Sequence, residues 1–275
     1  MPIRRYSPPV VLAVLLAAAC GCTRPAALSL DDLRNPGRIT HLTPESAAAL
    51  VKHVAGEQGG ACILKLDGLR DISSASAAAL ALLPENSCLC LDKLPAISAE
   101  VAQKIAKARC HYVSLNGLTE IPDDVAQALA QYRGSPQYGG DLHLDGAKSV
   151  SNHGIAWLAR ATVPGLSLDG LEAISDEQAQ ALSQFQGRVL SLCSLVHASP
   201  AAIEALAGFR GRMLALNGLE AISIETAEAL ATFRGDSLFL EGLKDPPEGV
   251  RAALRGHQGL TVMLPESVPT PDDRQ

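Results

Sequence analysis

The chain has 275 residues, a formal net charge of −6 at pH 7, 47% apolar residues and only 3% aromatics. That charge, with no run of Lys or Arg, disfavours nucleic acid and anionic membrane surfaces as electrostatic partners. The apolar content suffices for a continuous core, which must be built from Leu, Ala and Ile packed in thin layers.

At the N-terminus, Arg4 and Arg5 precede an apolar run over 10–19 that is too short to cross a bilayer as a helix. This is the shape of an export signal. "LAAAC", residues 16–20, resembles the lipobox of bacterial lipoproteins, in which small residues precede a Cys that is acylated and becomes the first mature residue. Ala17 stands where Leu is commonest, and Cys22 is a second possible acceptor. The resemblance implies a signal peptide over 1–19, a lipid on Cys20 and a tether over 20–27. Eight extended residues reach at most about 28 Å, which would hold the folded part against a membrane. The alternative is an ordinary secretory signal cut near Ala19.

From there the sequence repeats itself. "LSLDGLEAISDEQAQALSQFQG" at 166–187 returns as "LALNGLEAISIETAEALATFRG" at 214–235, with a weaker copy between them. The marker L-x-L-x-G-L begins at Leu64, Leu89, Val113, Leu142, Leu166, Leu190, Leu214 and Leu238, and the interval is 24 residues from Leu142 onward. A degraded copy starts at Leu28 ("LSLDDL"), and a terminal one starts at Val262. The longer intervals carry Gly- and Pro-containing inserts, such as "AGEQGGA" and "SPQYGG", which suit surface loops.

Each column of the repeat has a physical meaning. Alternating apolar, polar and apolar residues predict a short half-buried strand. Asp-Gly or Asn-Gly then closes it with a turn. Leu171 and Ile174 point inward. Ser73, Ser98, Ser151, Ser175, Ser199 and Ser223 precede Ala-rich, acid-containing stretches and so predict helix N-caps, with Glu177 and Glu225 well placed for the helix dipole. Ala179 and Leu182, Ile203 and Leu206, and Ala227 and Leu230 supply the buried helix face. Tyr132, Phe185, Phe209 and Phe233 form a further column, and Gly134, Gly187, Gly211, Gly235 and Gly259 follow as expected helix terminators. Such a unit cannot stand alone; it is stable only when each layer covers the apolar face of its neighbour.

The period and its L-x-L strands resemble a bacterial leucine-rich-repeat array. The resemblance implies an α/β solenoid of about nine repeats over 28–264, with short parallel strands on one face and helices on the other. A disordered tail is expected over 265–275, and Pro246, Pro247, Arg251 and Arg255 read as a polar cap. The family's buried Asn ladder has no counterpart in L-x-L-x-G-L, which leaves the curvature open. The resemblance also implies a non-enzymatic protein that binds another macromolecule.

On the expected concave face, one outward column runs through Lys65, Cys90, Ser114, His143, Ser167, Ser191, Ala215 and Phe239. A second runs through Asp67, Asp92, Asn116, Asp145, Asp169, Cys193, Asn217 and Glu241. From these, His143, Asp145, Ser167, Asp169, Ser191, Asn217 and Phe239 are the candidate binding residues. The acidic column could hold a cation, but Asp and Asn that cap local turn N–H groups explain it equally well, and that explanation is preferred.

Cys62, Cys88 and Cys110 precede consecutive strands and could pair by oxidation; small buried hydrophobes are the preferred reading. Trp157 fills a gap or recognises a ligand. No catalytic motif, metal-ligand spacing or cofactor fingerprint is present, so no catalytic residue, metal or cofactor is expected. The expected function is that of a membrane-anchored lipoprotein of the periplasm or outer membrane, otherwise secreted, holding a protein or envelope polymer. The alternatives are an envelope spacer without a ligand, or a cation binder or hydrolase using the acidic column.

Overall fold

A computed structural model describes residues 29–56, 62–255 and 260–265. The expected signal peptide, Cys20, Cys22, the tether and nearly all of the tail lie outside the described residues.

Nine three-residue strands form one sheet: Ile63–Lys65, Cys88–Cys90, Tyr112–Ser114, Asp141–His143, Gly165–Ser167, Val189–Ser191, Met213–Ala215, Ser237–Phe239 and Thr261–Met263. All neighbours pair in parallel. Leu166 lies opposite Leu190, and Leu190 opposite Leu214, in one interior row. The central strand residues from Leu64 to Leu238 are buried, and a second row from Leu66 to Leu240 is completely so. A smaller parallel ladder joins Glu120–Ile121 to Ser149–Val150. This is the α/β solenoid expected from the sequence, with short parallel strands on one face and helices on the other.

A short helix follows each of the first eight strands. Each has seven or eight residues, too few to be stable in isolation, so they depend on their caps and on packing. All six predicted serines are N-caps and accept the backbone N–H three residues on. Three of them also strap repeats together. Ser151 donates to Asp123, Ser175 to Asn152 and Ser199 to Asp176, each acceptor lying at the start of the preceding helix.

Consecutive helices pack against each other along the opposite face. Helix axes approach no closer than about 8 Å, whereas paired strands lie about 4.8 Å apart. The array therefore curves with the sheet on its concave side.

Phe185, Phe209 and Phe233 form a buried stack, with ring centroids 6.1 and 6.2 Å apart and planes within 11° and 8° of parallel. Tyr132 is equally buried, and its hydroxyl donates to the Cys110 carbonyl at 2.8 Å.

Three expectations change. The copy at Leu28 is not a strand where it is described: Leu30–Arg34 is helical, because Ser29 and Asp32 form a capping box. The glycines after the phenylalanines do not terminate helices. Those helices have already ended at Leu182, Ala207 and Ala231, with cap residues in the right-handed region. Gly211 is needed because a Cβ there would overlap the Phe209 ring. Only Gly134 and Gly139, around the insert, have positive φ among the described glycines. Finally, a side-chain ladder does exist, in the column read as outward acids.

Candidate functional site

The ladder is built one repeat at a time. Asp92 Oδ1 accepts the Asn116 N–H at 3.0 Å, Asn116 Oδ1 the Asp145 N–H at 2.9 Å, and Asp145 Oδ1 the Asp169 N–H at 3.3 Å. Asp169 Oδ1 accepts the Cys193 N–H at 2.7 Å, and Asn217 Oδ1 the Glu241 N–H at 3.1 Å. Between these, the Asn217 N–H faces the Cys193 thiol. The side chains thus cap the next repeat rather than their own turn. Serines on the strands reinforce the same acceptors: Ser114 donates to Asp92 at 2.5 Å, Ser191 to Asp169 at 2.6 Å, and Ser167 to Asp145.

Five of the proposed binding residues, Asp145, Ser167, Asp169, Ser191 and Asn217, are consequently ladder members or their donors. Ser167 is buried beneath Asp145, and Asp145, Asp169 and Asn217 spend an acceptor on the neighbouring backbone. Cys90 and Ser114, read as outward, are also buried. His143 and Phe239 of that set remain open on this face, together with residues outside it.

His143 is half-exposed and sits with Nδ1 3.7 Å from Asp145 Oδ2. The hydrogen bond and charge of Asp145 raise the imidazole pKa against the opposing effect of burial. Burial pushes the Asp145 carboxyl upward, but bonds from His143, Ser167 and the Asp169 backbone outweigh it and leave the pKa lowered. Ser167 gives its proton to the carboxylate, not to the imidazole, so Ser167, His143 and Asp145 do not form a nucleophile activated by a base. Among the described residues, no group of three His, Cys, Asp or Glu is placed to hold a metal.

Tyr112 packs edge-on against His143, with ring centroids 5.4 Å apart, and its hydroxyl lies 3.7 Å from Cys90 Sγ. Burial and the neighbouring thiols raise its pKa. Sequence reasoning missed Tyr112 because the L-x-L marker starts at the second strand residue. The first residue points the same way as the third. That column adds Val189 and Met213, both half-exposed, to Phe239 and to Met263 at the end. Beside Tyr112, His111 Nδ1 lies 3.1 Å from the carbonyl of Tyr138, whose side chain is exposed on the insert.

Among the described residues, Cys88, Cys90 and Cys110 are free thiols. Burial raises the Cys88 and Cys90 pKa values and pushes Cys110 up to about 11, so these groups are protonated fillers at neutral pH. Trp157 is half-buried against the core on the helical side, with Arg160 5.2 Å above its ring.

No protein-family model matches the sequence, and no curated protein does. Solved structures are similar to part of it, among them the following two. A chain of the Drosophila Toll–Spätzle complex is 13% identical with a TM-score of 0.46, covering 73% of this chain. An internalin from Listeria monocytogenes is 13% identical with a TM-score of 0.42, covering 80% of this chain and 71% of its own. This chain spans only 24% of the Toll-complex chain.

Proposed function

We propose that the solenoid is a binding scaffold that holds a protein partner on its concave sheet. The observation that carries this is how so few aromatics are spent. The sequence has four Phe and four Tyr. Among the described ones, Tyr132, Phe185, Phe209 and Phe233 fill the interior, while Tyr112, Tyr138 and Phe239 stand on the concave face or its rim. Large amphipathic or apolar side chains held on a rigid ladder are what protein interfaces concentrate at their centres. The half-exposed Val189, Met213 and Met263 extend that surface towards the last repeat.

Capture of a partner from the native envelope by the full chain, followed by affinity measurement, tests this reading. Tyr112→Ala and Phe239→Ala should each weaken the complex at least tenfold, while Trp157→Ala on the helical side should not. Equal effects from all three, or none from the first two, would remove the concave face from the account.

The proposal includes attachment to a membrane through Cys20, supported by the charged, apolar and small-residue order of 1–20. Cys20→Ala should move the protein from the membrane fraction to the soluble one. Retention in the membrane would sink the anchor while leaving the scaffold proposal standing.

A further inference from the structure

The linkers that return each helix to the sheet run along one long edge of the solenoid. Two consecutive ones read Gly-Phe-Arg-Gly-Arg over 208–212 and Thr-Phe-Arg-Gly-Asp over 232–236. Phe209 and Phe233 are stacked inside at 6.2 Å, so the residues after them, Arg210 and Arg234, emerge side by side and are both exposed. No carboxylate among the described residues pairs with either. The acid of the second linker, Asp236, is bound by Arg212 at 2.5 Å. Between the two linkers runs a groove of about 750 Å³ lined by Ala207, Gly208, Phe209, Arg210, Thr232 and Arg234.

A cation near a helix C-terminus also offsets the helix dipole, but that effect fades beyond the last turn. Arg210 and Arg234 each stand two residues past the cap residues Gly208 and Thr232. Two like charges held one repeat apart over a groove repel each other until an anion lies between them. Each guanidinium offers a planar fork of donors, so a pair of them matches a group with three or four oxygens and a charge near −2 better than a single carboxylate.

We propose that this groove binds a phosphate-bearing anion, clamped by Arg210 and Arg234 and walled by Gly208 and Thr232. The inference is independent of the concave-face proposal and uses none of its residues. The anion could come from a soluble phosphate compound or from a phospholipid headgroup, and two probes separate them. The first is calorimetric titration of the full chain with pyrophosphate. The second is co-sedimentation with phosphatidylglycerol vesicles against phosphatidylcholine ones, using a Cys20→Ala background to keep any acyl anchor out of the readout.

Arg210→Gln and Arg234→Gln should each weaken binding about tenfold, and the double substitution should abolish it, with the unfolding midpoint little changed. Arginine-dependent binding of pyrophosphate identifies a soluble ligand. Arginine-dependent binding of phosphatidylglycerol alone identifies the headgroup. Binding of neither probe, or binding that survives the double substitution, overturns the proposal.

Discussion

The two faces of the nine-stranded sheet are made by the same three-residue strands, yet they obey different rules. On the inner face the middle residue is Leu in seven of the first eight strands and Val in the other, always buried. On the concave face the flanking positions of the first eight strands hold Ile, Lys, Cys, Tyr, Ser, Asp, His, Gly, Val, Met, Ala and Phe without a pattern. The difference teaches where the fold is constrained. An interior row must present one shape to the layers on either side, because close-packed interiors tolerate neither gaps nor excess volume. The concave row need only satisfy its backbone, and the Asp and Asn ladder does that from below, leaving the protruding side chains free to vary.

The sharpest test sets two phenylalanines against each other. Phe209→Ala should cost about 4 kcal/mol by urea denaturation, because it leaves a cavity between two stacked rings. Phe239→Ala, on the half-exposed side, should cost less than about 1 kcal/mol. Equal losses would erase the distinction between the faces. Next in size is the ladder. Asp169→Ala deprives the Ser191 hydroxyl and the Cys193 N–H of their acceptor and should cost about 2 kcal/mol. Asp169→Asn should recover most of that, since Asn116 and Asn217 already serve as rungs. A helix cap is smaller again: Ser199→Ala should cost about 1 kcal/mol, read as a lowered midpoint with an unchanged denaturant slope.

The smallest effect separates the faces by pH. The raised pKa of His143 means its contribution is complete below its ordinary value of 6.5 and is lost as pH rises through the folded value. The lowered pKa of Asp145 means its contribution is present above 3.8 and is lost on acidification. The pair therefore stabilises most between those limits. Both side chains are partly exposed, at 36% and 27%, so screening holds the effect below about 1 kcal/mol. Melting curves from pH 5 to 8 should show a decline in the native protein that His143→Gln lacks. Parallel curves for the two would remove the pair from the stability of this face.

Periodicity made much of this legible in advance. The leucine rows, the six serine caps and the aromatic column each recur at one offset, and a recurrent apolar or capping residue has few physical meanings. What escaped was of two kinds. Gly211 reads as a helix terminator because a glycine near a helix end has two uses, and only the fold distinguishes a left-handed φ from a ring lying where a Cβ would be. The ladder was hidden because its bonds run to the following repeat, not to the local turn. The concave residues were partly misjudged for the same reason. Ser167 looked available, yet its proton is committed to a neighbour, while Tyr112 was overlooked one residue ahead of the marker.

The sequence by itself determined the stacking of layers, since identical units that cannot bury their own apolar faces must bury them against one another. Only the tertiary structure decided what those layers bring together. Arg210 and Arg234 never form a run along the chain, and the overall charge is negative, so nothing in the order of residues announces a basic groove. Winding returns each repeat to the same edge, and distance along the chain becomes contact across a layer.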